Sequence, residues 1–319
     1  MEKSKEITRI ARISVMIIFA MLSARVYGQQ EAEYTQYMFN TLSVNPAYAS
    51  TKNALNAILL SRDQWVGLAG APKTQSLTVI VPVMKERIAV GFSFVRDQVG
   101  PLTTDNLSLD FAYKIKIHQD GYLTMGVDAG IDYKKSDLTS LTPLDKSDPS
   151  YNSNYMSKLA PSFGAGLYYY YASKLYLGVS TPTINQSDLS VDASGSVGGV
   201  NDQSLRHYYI IGGYVIDLSE KIKFKPAFFT KLVKGAPASV DLTAQFMFSD
   251  RLILGAAYRV GDSFSVMAEL RVFEKFWIGY AFDQTLTKLA TYNSGTHEIL
   301  LSMDLEMVRD GIIKSPRFF

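Results

Sequence analysis

Between Asp105 and Ile117 the chain reads DNLSLDFAYKIKI, with Leu107, Leu109, Phe111, Tyr113, Ile115 and Ile117 on one parity and Asn106, Ser108, Asp110, Lys114 and Lys116 on the other. A period of two places these sets on opposite faces of a β-strand, one apolar and one wet. The next stretch, GYLTMGVDAGIDYKK, repeats the pattern. Similar stretches recur at about 54–61, 74–83, 85–96, 105–118, 121–134, 160–170, 173–181, 205–217, 221–233, 238–248, 251–260, 264–272, 274–283 and 296–304. About 14 strands, an even number, predict an all-β protein: a transmembrane, outer-membrane antiparallel β-barrel.

The links support this reading. MKER, HQDG, YAS, LSEK, FSD and FEK are short and alternate with links that are often longer, notably 135–159 and 182–204. Short turns at one end and longer loops at the other are the asymmetry of outer-membrane barrels, with both termini on the periplasmic side. Asp110, Lys114, Lys116, Asp128, Asp132, Lys221, Lys223, Lys225, Asp241, Gln245 and Arg259 then belong in the lumen. A Lys or Arg facing lipid near the midplane costs roughly 2–4 kcal/mol. A soluble sandwich or propeller gives no reason for export and aromatic-rich apolar faces together.

The first 28 residues carry Lys3, Lys5, Arg9 and Arg12 before an apolar run from Ile13 to Leu22. That run is too short to span a bilayer and predicts a cleaved signal peptide, so the protein is expected in the outer membrane of a Gram-negative bacterium. The expected organisation is 1–28 signal peptide, 29–53 periplasmic N-terminal segment, 54–305 barrel and 306–319 C-terminal periplasmic tail. The chain has no cysteine, hence no disulfide framework and no lipid-attachment site after the leader. Its 20 Tyr and 17 Phe suit a protein with two membrane interfaces to populate. A net charge of +2 gives no reason to invoke nucleic acid.

Two stretches stand out as candidate contact sites. EYTQYMFNTLSVNPAYAS contains Tyr34, Gln36, Tyr37, Phe39 and Tyr48, and its Asn45 and Pro46 form a cap-and-start pair for a turn. This segment is expected to fold into the barrel mouth or to face a periplasmic partner, with the aromatics as anchors. The plainer reading is a turn leading into the first strand. SRDQWVGLAGAPK, with Gln64, Trp65 and Pro72, predicts a compact loop at the opposite end, where Trp65 either caps the wall or docks a partner.

Catalysis finds little support. Ser294 and His297 in NSGTHE and His207 in RHYY lack a nucleophile-elbow context, and no enzyme is predicted. Asp145 and Asp148 lie in a polar loop without EF-hand spacing, so no metal or cofactor is predicted.

QYMFNTLSVNPAYAS, RDQWVGLAGAPKTQSLTV, PSFGAGLYYYYASKLYLGVS, RHYYIIGGYVIDLSEKIKFKPAFFTKLVKGAPASVDLTAQFMFSDRLILGAAYR and YNSGTHEILLSMDL together resemble the PorP/SprF family of the Bacteroidetes type IX secretion system. The resemblance spans nearly all of the mature chain. It implies a non-enzymatic secretion component embedded in outer-membrane lipid. Its implied partners are secretion ring proteins and a peptidoglycan-binding lipoprotein, or a large secreted surface protein of gliding or adhesin type with a C-terminal targeting domain. A second resemblance, to FadL-type channels for hydrophobic small molecules, rests on Asn-Pro-Ala before the first strand. The stretch from Gln29 to Pro46 is short for the hatch of such channels, and their lumen pocket would be apolar.

Overall fold

In the computed structural model, residues 32–83, 87–142, 155–156, 159–185, 206–234 and 236–305 are described. The expected signal peptide 1–28, the expected tail 306–319 and the pair Asp145 and Asp148 lie outside the described residues. The strands are β1 (Leu55–Asp63), β2 (Lys73–Val83), β3 (Ile88–Val99), β4 (Leu102–Lys116), β5 (Gly121–Ser136), β6 (Tyr155–Met156), β7 (Ala160–Tyr171) and β8 (Leu175–Thr181). They continue as β9 (His207–Tyr214), β10 (Ile216–Asp217), β11 (Ile222–Val233), β12 (Ser239–Phe248), β13 (Leu252–Arg259), β14 (Ser263–Phe273), β15 (Phe276–Thr285) and β16 (Thr296–Leu305).

Leaving aside the two-residue strands β6 and β10, fourteen long strands pair antiparallel with their neighbours in sequence. Pairing of β1 with β16, from Leu55↔Leu305 to Asp63↔His297, closes the cylinder. Closure removes every exposed sheet edge, the condition for β-structure inside a bilayer. One expectation is refined: the strand expected over 205–217 is interrupted at Val215, whose N–H donates to Lys174 O in a neighbouring turn. β5 also runs farther than expected, pairing through Lys135 and Ser136 with β6.

Turn chemistry separates the two ends. Tight hairpins are closed by Lys174 N–H donating to Tyr171 O at 2.9 Å and by Arg251 N–H donating to Phe248 O at 3.0 Å. Their central pairs, Ala172-Ser173 and Ser249-Asp250, all have φ between 50 and 54°, the backbone of a type I′ turn. The opposite end carries the connections 64–72, 182–206 and 286–295. The tight-turn end is the one expected from the sequence to face the periplasm.

The outward parity is apolar, including Leu109, Phe111, Val127, Leu242, Val266, Leu270 and Ile299. Exposed rings form two girdles. Tyr113, Tyr171, Tyr214, Phe273 and Phe276 lie toward the turn end, and Phe163, Tyr208, Tyr258 and Phe264 toward the loop end. Amphipathic rings at both interfaces match the belts of a membrane barrel.

The lumen is packed. Wall residues Ile58, Leu60, Ile80, Ile211, Met247, Ile253, Met267 and Leu300 share one apolar cluster with Tyr37, Met38, Phe39, Leu42, Ala47 and Tyr48 of the N-terminal segment. The inner face is therefore mixed rather than uniformly polar, because a segment of the chain itself fills the space. Fully burying a large apolar side chain contributes roughly 1.5–3 kcal/mol, so a handful suffices to hold the segment.

Candidate functional site

The segment climbs inside the barrel from the turn end. Just before β1, Asn53 Oδ1 accepts a bond from Lys114 Nζ at 3.2 Å, low on the wall. Lys52 sits 5.3 Å from the Tyr48 ring centroid, and Lys225 sits 5.0 Å from that of Tyr176. Tyr48, Tyr168 and Tyr176 form a chain of ring contacts with centroids 5.6 and 5.8 Å apart.

Pro46–Thr51 forms a 3-10 turn with Asn45 as its cap, Asn45 Oδ1 accepting from Ala47 N at 3.0 Å. The other face of the Asn45 amide donates to Leu167 O on β7 at 3.1 Å. Gly126 permits this close approach: a Cβ there would lie inside the backbone of Pro46 and Ala47. Higher up, Thr78 Oγ1 donates to Asn40 Oδ1 at 2.9 Å, Ser180 Oγ donates to Val44 O at 2.5 Å, and the Tyr37 ring stacks on Phe229 at 4.7 Å. Burial pushes the Tyr37 phenol above its ordinary range, with its hydroxyl 3.1 Å from Thr243 Oγ1.

The upper end is held by charge. Glu298 accepts from the backbone N–H of Thr35 at 2.9 Å and of Gln36 at 2.7 Å. Arg62 reaches Glu298 at 3.1 Å and Asp283 at 2.9 Å, and also donates to Thr35 Oγ1 at 2.6 Å. On the other side Glu33 meets Arg259 at 2.7 Å and Lys231 at 3.9 Å, while Arg259 is forked onto Asp241 at 2.8 and 2.9 Å. Burial alone would raise the Glu33 carboxyl, but Arg259, Lys231 and Arg62 outweigh it and hold it below the ordinary range.

Tyr34, Gln36, Tyr37, Phe39, Asn45, Pro46 and Tyr48 are thus brought together as one buried internal segment. Gln64, Trp65 and Pro72 lie apart from them at the loop end, half-buried. Trp65 has φ 49° and its backbone N–H donates to Thr296 Oγ1 at 3.1 Å. Val66 and the 286–295 connection exchange backbone bonds of 2.8 Å with Gly295 and 2.7 Å with Ser294, and Gly70 O accepts from Gly100 N at 2.9 Å. Three loops therefore form one tied surface, from which Tyr292 projects.

Sequence reasoning passed over Glu33, Arg62, Asp283 and Glu298. The available signal was parity: Arg62 and Glu298 fall on the inward phase of the first and last strands, where complementary charges face each other across the closing seam.

The sequence of this chain, over residues 26–303, matches the profile of the type IX secretion system membrane protein PorP/SprF. The chain belongs to the PorP/SprF family. It is accordingly an outer-membrane component of type IX secretion. No curated protein sequence matches it significantly. Among solved structures, the toluene transporter TbuX of Ralstonia pickettii superposes with TM-score 0.51 at 10% identity, covering 89% of this chain and 99% of that one. The Pseudomonas putida toluene transporter TodX gives 0.49 at 10% identity (89% and 96%), and a Pseudomonas aeruginosa FadL homologue 0.43 at 12% (88% and 96%). At such identities the likeness concerns the barrel fold alone.

Proposed function

We propose that this PorP/SprF protein acts without catalysis, as a binding component whose barrel is sealed by its own N-terminal segment. Its periplasmic turns meet the secretion ring proteins and the peptidoglycan-binding lipoprotein. Its loop end retains a secreted surface protein. The observation that carries this reading is the sealed lumen. A barrel filled from Glu33 to Asn53 by a capped, charge-anchored segment is suited to presenting surfaces rather than to conducting.

The tied surface around Trp65, with Gln64 and Pro72 beside it, supports the loop-end part of the reading. Contact surfaces draw their energy from rigid aromatic anchors, and the loop around Trp65 is braced by the 286–295 connection and by Gly100. Tyr34, Gln36, Tyr37, Phe39, Asn45, Pro46 and Tyr48 act on a partner only if the segment is withdrawn, because they are buried as they stand. A hydrophobic-channel reading draws less support, since the open cavity beside the segment is lined by Asp97, Asp110, Asp128 and Asp132.

The test is a mild-detergent pull-down of the tagged protein from its own outer membrane, followed by mass spectrometry. Recovery of ring proteins and the lipoprotein assigns the turn-end role, and recovery of one large surface protein assigns the loop-end role. Recovery of neither overturns the proposal.

A further inference from the structure

Across β3, β4, β5 and β7 one inward row reads Gly91, Asp110, Asp128, Gly164, each paired with the next. The row directly above reads Ser93, Ser108, Gly130, Ser162. A Cβ on Gly91 would come within 2.7 Å of Asp110 Oδ2, and one on Gly164 would overlap the Asp128 carboxylate. Each acid therefore lies over the glycine on its far side, Asp110 toward Gly91 and Asp128 toward Gly164. Like charges on neighbouring strands are costly, and a fold that clears two glycines to keep both acids has a use for them.

Asp110 and Asp128 of the first row and Ser93, Ser108 and Ser162 of the second line a cavity of about 190 Å³ on the loop side of the segment, and Asn45 and Pro46 form part of its wall. Asp110 is only 5% exposed, yet its Oδ2 receives no hydrogen bond; Ser162 Oγ, 3% exposed, is likewise unsatisfied among the described residues. A buried carboxylate oxygen without a donor is costly, and a hydrogen-donating cation entering the cavity, whose wall also carries Lys134, would relieve that cost at Asp110.

We infer that the cavity over Asp110, Asp128 and Ser162 binds a small organic cation bearing a guanidinium or alkylammonium group. The carboxylates diverge, whereas a bare metal ion needs its ligands to converge. No cluster of three metal-ligating side chains occurs among the described residues. The cavity also far exceeds the order of 10–15 Å³ that one water occupies on this measure. The donors of a planar guanidinium or an ammonium match two carboxylates that lean apart and a serine hydroxyl in a way a bare ion does not. The cation is either a free small molecule or a Lys or Arg side chain, and the inference is independent of the secretion role.

The experiment is calorimetric titration of the full-length detergent-solubilised barrel with agmatine, with an acetylated Gly-Arg-Gly amide, and with calcium. Wild type is compared with Asp110→Asn and Asp128→Asn, each checked for heat-modifiable migration, and with the loop-end surface control Asp63→Asn. The expected result is one saturable site for agmatine or the peptide, weakened at least about tenfold in a folded Asp110→Asn or Asp128→Asn variant and unchanged in Asp63→Asn. Tighter agmatine binding marks a free molecule, and tighter peptide binding marks a side chain. No saturable binding, equal affinity in the folded variants, or calcium binding without either organic probe overturns the inference.

Discussion

Arg62 on the first strand and Glu298 on the last are register partners across the seam that closes the barrel, 3.1 Å apart and both buried. Glu298 also takes the N–H groups of Thr35 and Gln36, so one carboxylate ties seam and internal segment together. Closure and docking are consequently linked: Glu298 pairs with Arg62 within the wall and accepts the two backbone N–H groups only when the segment is in place.

Glu298→Ala removes one of the two carboxylates on the buried Arg62 and leaves two backbone donors without their acceptor, a loss on the order of 3–5 kcal/mol for a broken buried pair. Much of it falls on the segment, because Arg62 keeps Asp283. We expect a barrel that still assembles but whose segment releases, read as a rise in ion conductance in planar bilayers. Conductance equal to wild type would refute the anchoring role.

Glu33 brings pH dependence. Its docked carboxyl is held below the ordinary value of 4.5, so its contribution is present above that value and is lost as pH falls through the lower, docked one. Conductance should accordingly rise as pH drops below about 4.5. In Glu33→Gln that component of the pH response should vanish. An identical pH profile in both proteins would count against it.

Gly126→Ala probes close packing. The added Cβ meets the backbone of Pro46 and Ala47, which cannot yield as a flexible side chain would. Overpacking costs typically about 1–3 kcal/mol. The expected outcome is faster proteolysis within 32–54 of the folded barrel. Gly261→Ala, at a loop-end turn with open space around it, should leave that cleavage rate unaltered despite its local cost at φ +76°.

Asn45→Ala removes the cap on Ala47 and the bond to Leu167 O. Loss of an N-cap costs about 0.5–2 kcal/mol, so a milder release than in Glu298→Ala is expected. Asn45→Asp keeps the cap but not the amide donor, and protease sensitivity between that of wild type and Asn45→Ala would separate the two contributions.

Much of the architecture was legible because membrane barrels impose a strict local rule. Alternation along Asp105 to Ile117 assigns inside and outside residue by residue, and short links such as YAS and FSD can only be hairpins. Asn45-Pro46 likewise announced its capped turn, since capping is decided within a few residues. What the sequence could not determine was the path of the chain before β1. Residues 32–54 carry no period, and whether Tyr37 and Tyr48 face a partner or the wall depends on contacts with Phe229 and Tyr168, far away in the chain. The same holds for Arg62 with Glu298 and for the row from Gly91 to Gly164, which exist only once closure and register bring distant strands side by side. Local alternation is a property of neighbours along the chain, and the filled lumen is a property of neighbours in space.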